Sequence, residues 1–173
     1  RRLVVGDRMG LIAARRVWSG GSAVVYGRRG EVRQGQRLGP YTLEEKLGEG
    51  GRGVVYRARH ALLRRPTAVK LLKSDRVGEA SLRRFEREGQ LTASLSHPNT
   101  VSVYDFGHTP EGSFYYAMEY LEGFSLEQLV AHEGAQPPGR VVHVVKQVLG
   151  ALAEAHGVGL VHRDVKPANV ILC

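Results

Sequence analysis

Hydrophobic and polar positions alternate in short runs over residues 41–120, and turns containing glycine or proline separate the runs. Alternation with a period of two predicts strands that are buried on one face. Residues 79–95 break this pattern with apolar side chains at helical spacing, Leu82, Phe85 and Leu95, after a capping residue at Asp75. The predicted strands are 41–47, 54–59, 67–72, 101–106 and 114–120. The pattern therefore predicts an α+β unit with five strands and one helix.

Beyond residue 123 the pattern becomes helical. Ser125 followed by Gln128 has the spacing of a capping box, which predicts a short helix to about residue 132. Pro138 precedes a second helix, predicted over residues 140–156, and Gly157 is a natural stop for it. The apolar positions of this helix are Val141, Val144, Val145, Val148, Leu149 and Leu152.

The net charge of +8 is distributed unevenly along the 173 residues. Residues 1–39 carry nine arginines against Asp7 and Glu31, whereas residues 40–173 are nearly neutral. The first 39 residues are rich in Arg and Gly and contain no motif, so we predict a poorly ordered basic leader followed by one domain over 40–173. A basic segment can also bind nucleic acid. We treat that role as the less favoured alternative.

Composition excludes several classes of protein. A hydrophobic content of 42% with 24% charged residues is typical of a globular chain and not of a disordered one. No apolar run approaches the 18 residues of a membrane-spanning helix. The single cysteine, Cys173, rules out a disulfide within the chain, which suits the reducing cytoplasm. We therefore expect a cytoplasmic location.

A glycine motif lies between the first two predicted strands. Residues 48–55 read Gly-Glu-Gly-Gly-Arg-Gly-Val-Val and fit the pattern G-x-G-x-x-G-x-V. Glycines allow a backbone to approach phosphate groups closely and to offer them N–H groups. The motif alone is weak evidence, because glycine is frequent in this chain. A dinucleotide-binding fold would place a helix after the glycines, whereas Val54, Val55 and Tyr56 predict a strand.

Lys70 ends the third predicted strand, 17 residues after Gly53. In this register its amine would reach under the glycine loop to the α- and β-phosphates of a nucleotide. A buried ammonium group needs an anionic partner. Glu86 and Glu88 on the following helix are the candidates, and only one can face Lys70 because residues two apart lie on different helix faces.

The strongest motif is the segment 162–169, His-Arg-Asp-Val-Lys-Pro-Ala-Asn. Phosphoryl transfer depends mainly on positioning and on charge neutralisation. Asp164 would orient a substrate hydroxyl and accept its proton, and Lys166 would offset charge on the transferred group. Asn169 would hold a Mg²⁺ ion through its amide oxygen.

With these residues in place, residues 40–173 resemble the eukaryotic-like, or Hanks-type, protein kinases, and most of all the bacterial branch. The resemblance rests on the glycine loop and on Ser96-His97-Pro98-Asn99, Met118-Glu119-Tyr120-Leu121 and the segment 162–169. It implies a five-stranded antiparallel N-lobe with one helix over 40–118, a hinge over 119–123 and the start of a mostly helical, truncated C-lobe over 124–173. It also implies ATP and Mg²⁺ as cofactors.

The resemblance assigns further residues to nucleotide binding. Glu88 ends an R-F-x-R-E run, which in bacterial kinases carries the glutamate that pairs with the lysine. Met118 would lie beside the adenine, and the backbones of Glu119 and Leu121 would bind its edge. Val55 and Ala68 would cover the ring, and Ile171 would lie below it. The remaining predicted nucleotide contacts come from the glycine loop: Leu47, Gly48, Glu49, Gly50, Gly51 and Gly53.

The lysine two residues after Asp164 resembles the serine/threonine subgroup, so the implied activity is phosphorylation of Ser and Thr in proteins, including the kinase itself. The family's metal-binding Asp-Phe-Gly would follow Asn169 by 15–20 residues, beyond Cys173. We therefore expect the 173 residues alone to be unstable and inactive, with a membrane anchor able to follow in the parent protein. The alternatives are a nucleotide-binding regulator without transfer activity and, less favoured, a small-molecule kinase.

Overall fold

The computed structural model describes residues 3–5, 35–50, 53–72, 79–109 and 112–173. Its strands are β1 (Leu3–Val5), β2 (Arg37–Leu38), β3 (Tyr41–Gly50), β4 (Gly53–His60), β5 (Pro66–Leu72), β6 (Val103–His108), β7 (Phe114–Glu119), β8 (Phe124–Ser125) and β9 (Val170–Leu172). Its α-helices are α1 (Glu79–Ala93), α2 (Leu126–Glu133) and α3 (Pro138–Gly157), and a 3₁₀ turn covers Pro167–Asn169. None of these helices is both long and apolar enough to cross a membrane.

The larger sheet has the strand order β2-β3-β4-β5-β7-β6, with antiparallel neighbours throughout. It contains all five predicted strands, with ends shifted by up to three residues. The two-residue strand β2 adds a sixth at the edge beside β3. It lies within the predicted leader, so the prediction of poor order is wrong for Arg37 and Leu38.

Each face of the larger sheet carries its own apolar cluster. One face buries Leu38, Tyr41, Leu43, Tyr56, Ala58, Val69, Tyr115 and Ala117. The other face contributes Leu47, Val55, Ala68, Leu72, Phe114, Tyr116 and Met118 to a cluster that also contains Val4, Val101, Leu121 and Ile171. Side chains alternate across a strand, so Val55 of β4, Ala68 and Leu72 of β5, and Phe114, Tyr116 and Met118 of β7 point into this second cluster. We call it the cleft cluster.

Helix α1 ends at Ala93, two residues earlier than predicted. The hydroxyl of Thr92 donates to the Glu88 carbonyl (2.8 Å), and the chain turns before Ser96. Leu95 is therefore beyond the helix and only partly buried. The predicted cap Asp75 and the side chains of Leu82 and Phe85 lie outside the described residues.

The two later helices begin and end within two residues of the predicted bounds. Ser125 Oγ accepts from the backbone N–H of Gln128 (3.1 Å), and Gln128 Oε1 accepts from the N–H of Ser125 (2.8 Å), which completes the capping box of α2. Pro138 occupies the first turn of α3, where its missing N–H costs little, and Gly157 ends that helix.

A second, smaller sheet has the order β1-β9-β8. Its outer strand β1 comes from the first residues of the chain, and its side chains are at most 4% exposed. We predicted a poorly ordered leader over residues 1–39, and this prediction is wrong for residues 3–5. The physical reason is that the three consecutive apolar side chains pack against two apolar layers, the cleft cluster and one face of α3. Residues 6–34 lie outside the described ranges.

Glu154 on α3 joins that helix to the segment after α1. Its carboxylate accepts from the N–H of Ser96 (2.9 Å), the N–H of His97 (3.0 Å) and the Ser96 hydroxyl (3.0 Å). These hydrogen bonds favour the ionised form and hold the pKa of Glu154 below its ordinary value. The carboxylate therefore stabilises the contact between the two parts of the chain.

Replacing Glu154 with Gln should lower the unfolding midpoint at pH 7 by about 2–4 °C. A carboxyl group whose pKa is lowered in the folded state adds stability above its unfolded-state pKa and loses that contribution as the pH falls through the folded-state pKa. The difference between wild type and variant should therefore shrink below about pH 4. Thermal unfolding followed by circular dichroism between pH 3 and 8 measures this.

Glu133→Gln is the matched control, since Glu133 lies on the exposed surface 3.4 Å from Arg140. It should change the midpoint little at any pH. An effect of Glu154→Gln that stayed constant across the pH range would contradict the assignment.

Candidate active site

The glycine motif forms the end of the β3–β4 hairpin. Gly48, Glu49 and Gly50 lie on β3 and Gly53 begins β4, with Gly50 paired to Gly53. Gly51 and Arg52 lie outside the described residues. A Cβ added to Gly53 would lie 2.2 Å from the carbonyl oxygen of Leu71. The close approach of β4 to β5 therefore requires a glycine here, and the predicted strand–glycine–strand arrangement is confirmed.

The sheet register directs Lys70 into the cleft cluster. Lys70 is the Cα partner of Val55 on one side and of Tyr116 on the other, and these two residues belong to that cluster. The Lys70 side chain is 3% exposed, and its Nζ lies 5.9 Å from the centre of the Tyr116 ring. An ammonium group this deeply buried is stable only beside negative charge.

The two candidate glutamates of α1 lie on different faces of the helix, as their spacing of two residues requires. Glu86 Oε1 lies 3.9 Å from His108 Nε2 on β6, at the surface. Glu88, two positions later, is half-buried on a different face of the helix. The choice of Glu88 as the residue that faces Lys70 stays a prediction.

The structure brings the predicted apolar nucleotide contacts together in the cleft cluster. Its members include Leu47, Val55, Ala68, Met118, Leu121 and Ile171, which come from β3, β4, β5, β7, the following loop and β9. Met118 and Ile171 are fully buried. At Glu119 the backbone N–H donates to the Ser102 carbonyl (2.8 Å), so a ligand contact there would use the Glu119 carbonyl.

Five members of this cluster were missed by the sequence reasoning: Val4, Leu72, Val101, Phe114 and Tyr116. Tyr116 could have been found, because it lies two positions before Met118 on the same strand face. Val4 could not, since nothing in the local sequence connects residue 4 with residue 171.

The segment 162–169 is held by hydrogen bonds within itself. The buried His162 accepts through Nδ1 from the backbone N–H of Asp164 (3.2 Å). Asn169, 6% exposed, donates through Nδ2 to the backbone carbonyl of Asp164 (2.8 Å) and to its Oδ2 (3.3 Å). Arg163 between them adopts a positive φ of 61°, a backbone conformation that costs free energy and tends to occur at functional sites.

Lys166 completes this group. Its Nζ lies 2.9 Å from Asp164 Oδ2, and both side chains are partly open to solvent. An ammonium group and an amide therefore each lie within hydrogen-bonding distance of the Asp164 carboxylate. Because the amide nitrogen of Asn169 bonds to Asp164, the amide oxygen is the atom suited to a cation.

A literal Asp-Phe-Gly occurs at residues 105–107, which the sequence analysis overlooked. It lies on β6, where Asp105 pairs with Ala117 on the sheet face opposite the cleft cluster. Burial and the neighbouring Asp105 carboxylate raise the pKa of Tyr41 to about 12. Asp105 therefore belongs to the packing around Tyr41 and Tyr115 and lies on the wrong face of the sheet to meet Asn169.

Comparison with known proteins agrees with this geometry. The model of the protein kinase domain family matches residues 41–173. The chain belongs to the protein kinase family. It is 43% identical over 133 residues to the serine/threonine-protein kinase pkn3 of Myxococcus xanthus, and 38% identical over 140 residues to PrkC of Bacillus subtilis. These alignments cover 76% and 80% of this chain but only 24% and 22% of the two relatives.

Solved kinase structures show the same fold. The kinase domain of PknI from Mycobacterium tuberculosis superposes with a TM-score of 0.74 at 36% identity, over 82% of this chain and 57% of that one. Its likeness confirms the predicted kinase-like α+β fold. Members of this family use ATP with a divalent metal ion. In the described part of this kinase chain, no group of three or more His, Cys, Asp and Glu side chains is placed to hold a metal.

Replacing Gly53 with Ala should destabilise the hairpin, because the new methyl group would collide with the Leu71 carbonyl. We expect the free energy of unfolding to fall by about 1–3 kcal/mol. Denaturant unfolding measures this. Gly139→Ala is the control, since a Cβ there meets nothing within 4 Å. Equal effects of the two substitutions would contradict the close approach of β4 and β5.

Proposed function

We propose that the protein carrying this chain transfers the γ-phosphoryl group of ATP to Ser and Thr hydroxyls of proteins. The observation that carries the proposal is the convergence of Asp164, Lys166 and Asn169, together with a buried lysine on the cleft face of the sheet. The named relatives are serine/threonine-protein kinases, which agrees with this assignment.

The nucleotide would occupy the cleft between the glycine hairpin and β9. Apolar side chains of the cleft cluster suit a flat base, which gains from leaving water. Lys70 would bind the α- and β-phosphates, with Glu88 as its protein anion. The glycine backbone would cover the phosphates from above. The positive charge of Lys70 would then be balanced by the Glu88 carboxylate and by the nucleotide phosphates.

The metal ion fits the donors that are present. Mg²⁺ prefers oxygen ligands and often takes most of them from water and substrate phosphates. The site offers one amide oxygen, that of Asn169, beside the Asp164 carboxylate. This small number of protein ligands suits an ion that takes its remaining ligands from water and phosphates. When bound, the cation would neutralise charge on the phosphates. Asn169 would hold it, and the hydrogen bond to Asp164 fixes the orientation of the amide.

Asp164 would act on the substrate hydroxyl. Its carboxylate would orient the Ser or Thr oxygen and accept the proton as that oxygen bonds to the γ-phosphorus. The bond from phosphorus to the bridging oxygen breaks in the same step, and ADP leaves with the electron pair. Lys166, 2.9 Å from Asp164 in this structure, would shift to the transferred phosphoryl oxygens and offset their charge.

The wider setting follows the same proposal. Protein substrates, and autophosphorylation in particular, are the implied partners, with nucleic acid not among them. A cytoplasmic location would supply both ATP and Mg²⁺. The expectation that residues 1–173 alone lack turnover stays a prediction.

Replacing Asp164 with Asn in the full-length protein should lower the rate of phosphoryl transfer by about 10²–10⁴-fold, because general-base assistance is lost. Affinity for Mg²⁺-ATP should change little, since the substitution keeps the Asp164 backbone carbonyl that accepts from Asn169 Nδ2 at 2.8 Å. Transfer of radiolabel from γ-labelled ATP to a protein substrate measures the first, and calorimetric titration measures the second.

Asp105→Asn is the matched control, since it alters an Asp-Phe-Gly residue on the opposite sheet face and should leave the rate near that of wild type. A full-length protein that binds ATP but transfers nothing would favour the nucleotide-binding regulator. An Asp164→Asn variant as fast as wild type would refute the proposed role of this residue.

A further inference from the structure

Arg57 of β4 lies on the cleft face of the larger sheet, close to the hinge, residues 119–123. Val55 points into the cleft cluster, and because side chains alternate across a strand, Arg57 two positions later lies on the same face. Arg57 is the Cα partner of Ala68, which is in turn the partner of Met118 on β7. Arg57 therefore shares a row of the sheet with two residues that are proposed to contact the adenine.

The guanidinium group of Arg57 lies beside the aromatic ring of Tyr120. Its central carbon is 5.2 Å from the ring centre, a distance at which a cation is attracted to an aromatic ring. The Arg57 side chain is 32% exposed, so water screens this contact only in part. Tyr120 is itself half-buried and packs against the cleft cluster. The ring is thus held between an arginine of β4 and the apolar side chains of the cleft.

Glu44 of β3 restrains Arg57 from a second direction. Its Oε2 lies 3.3 Å from Arg57 Nε, and its Oε1 accepts from Arg59 Nε at 2.8 Å. Arg59 also donates to the Arg64 carbonyl (3.2 Å), which ties it to the turn between β4 and β5. The contacts from Glu44 through Arg57 to Tyr120 therefore connect the strand that carries the first glycines of the loop with the hinge.

Tyr120 stands between the two backbone groups proposed to bind the adenine edge, those of Glu119 and Leu121. The Glu119 N–H donates to the Ser102 carbonyl (2.8 Å), which fixes the start of the hinge. Because peptide groups are planar, the directions of the groups on either side of Tyr120 are set by the two backbone dihedral angles of that residue. Holding the Tyr120 side chain therefore restricts both groups that would bind the adenine.

We propose that Arg57 is a positioning residue of the nucleotide site, which holds the hinge through Tyr120 and so raises the affinity for ATP. Its effect falls on binding and not on phosphoryl transfer, because Asp164 and Lys166 lie in a separate segment of the chain. This inference rests on the proposed nucleotide-binding function. It concerns a residue that the sequence analysis did not select.

The contact with the hinge is tested first, without nucleotide, in the full-length protein. Arg57→Leu removes the cation beside Tyr120, so the amide hydrogens of residues 120–123 should exchange about three- to fivefold faster than in wild type. Arg59→Leu is the matched control, since it removes the other cation on Glu44 and leaves Arg57 beside the ring. Its hinge amides should exchange as in wild type. Hydrogen exchange followed by mass spectrometry of a peptide that covers the hinge measures both variants.

The consequence for the nucleotide is tested by calorimetric titration with Mg²⁺-ATP. Arg57→Leu should raise the Kd about three- to fivefold, which corresponds to the usual strength of a contact between a cation and a ring. The kcat at saturating ATP should stay within about twofold of wild type. Arg57→Lys, which keeps a cation near the ring, should bind within about twofold of wild type, and Arg59→Leu should bind as wild type does.

A double-mutant cycle separates positioning from a general loss of stability. In a Tyr120→Leu background the ring is gone, so Arg57→Leu should change the Kd by less than about 1.5-fold. An equal loss of affinity with and without the Tyr120 ring would overturn the positioning role. Circular dichroism checks that each variant is folded, and Arg57→Gln takes the place of Arg57→Leu, with the same expectations, if the latter is not.

The remaining outcomes decide separate parts of the proposal. Unchanged exchange at the hinge in Arg57→Leu, or an equal increase in Arg59→Leu, overturns the contact between Arg57 and the hinge. A Kd of Arg57→Leu within about 1.5-fold of wild type, or a fall in kcat as large as the loss of affinity, overturns the effect on nucleotide binding. If the hinge exchanges faster but the wild-type protein binds no ATP, the proposed function fails and the contact between Arg57 and Tyr120 stands.

Discussion

The burial of the Lys70 ammonium group is the constraint on which the rest of this structure depends. With 3% of the side chain exposed, water does not solvate the charge, and a desolvated cation needs anions at close range. The register of β4, β5 and β7 leaves no other direction for the side chain, since its two partners across the sheet belong to the cleft cluster. A half-buried glutamate from α1 and the phosphates of a nucleotide are the anions that this geometry suits.

The second centre of charge, around Asp164, is organised differently. Asp164 and Lys166 are partly open to solvent, so their mutual attraction is weak and their side chains can move to a substrate. Asn169 is buried and makes two hydrogen bonds to Asp164, so its side chain is held in one position. The proposed roles follow from these differences in solvent exposure. The buried groups would hold the nucleotide and the metal ion, and the exposed groups would contact the protein substrate.

Sequence patterns predicted the features that depend on local signals. The glycine hairpin, the capping box at Ser125 and Gln128, and the start of α3 close to Pro138 each follow from residues close together in the chain. The segment 162–169 is of the same kind, because its hydrogen bonds join residues at most five positions apart.

Features of the fold that depend on contacts between distant residues were not predicted. Strand β1 pairs with residues about 165 positions away, and three apolar residues in an arginine-rich segment give no local sign of burial. The Asp-Phe-Gly at Asp105 is the opposite case. It is a local sequence match, but the sheet face on which its aspartate lies decides whether it can belong to the site.

The rate of phosphoryl transfer by a Lys70→Met variant of the full-length protein tests the central claim most directly. Methionine keeps the apolar stem and removes the charge, so the sheet should fold while the phosphates lose their cation. Lys146→Met, at an exposed position of α3, serves as the comparison. We predict a rate at least about 10²-fold below wild type for Lys70→Met and an unchanged rate for Lys146→Met. A Lys70→Met protein that modifies its substrate as fast as wild type would contradict the account.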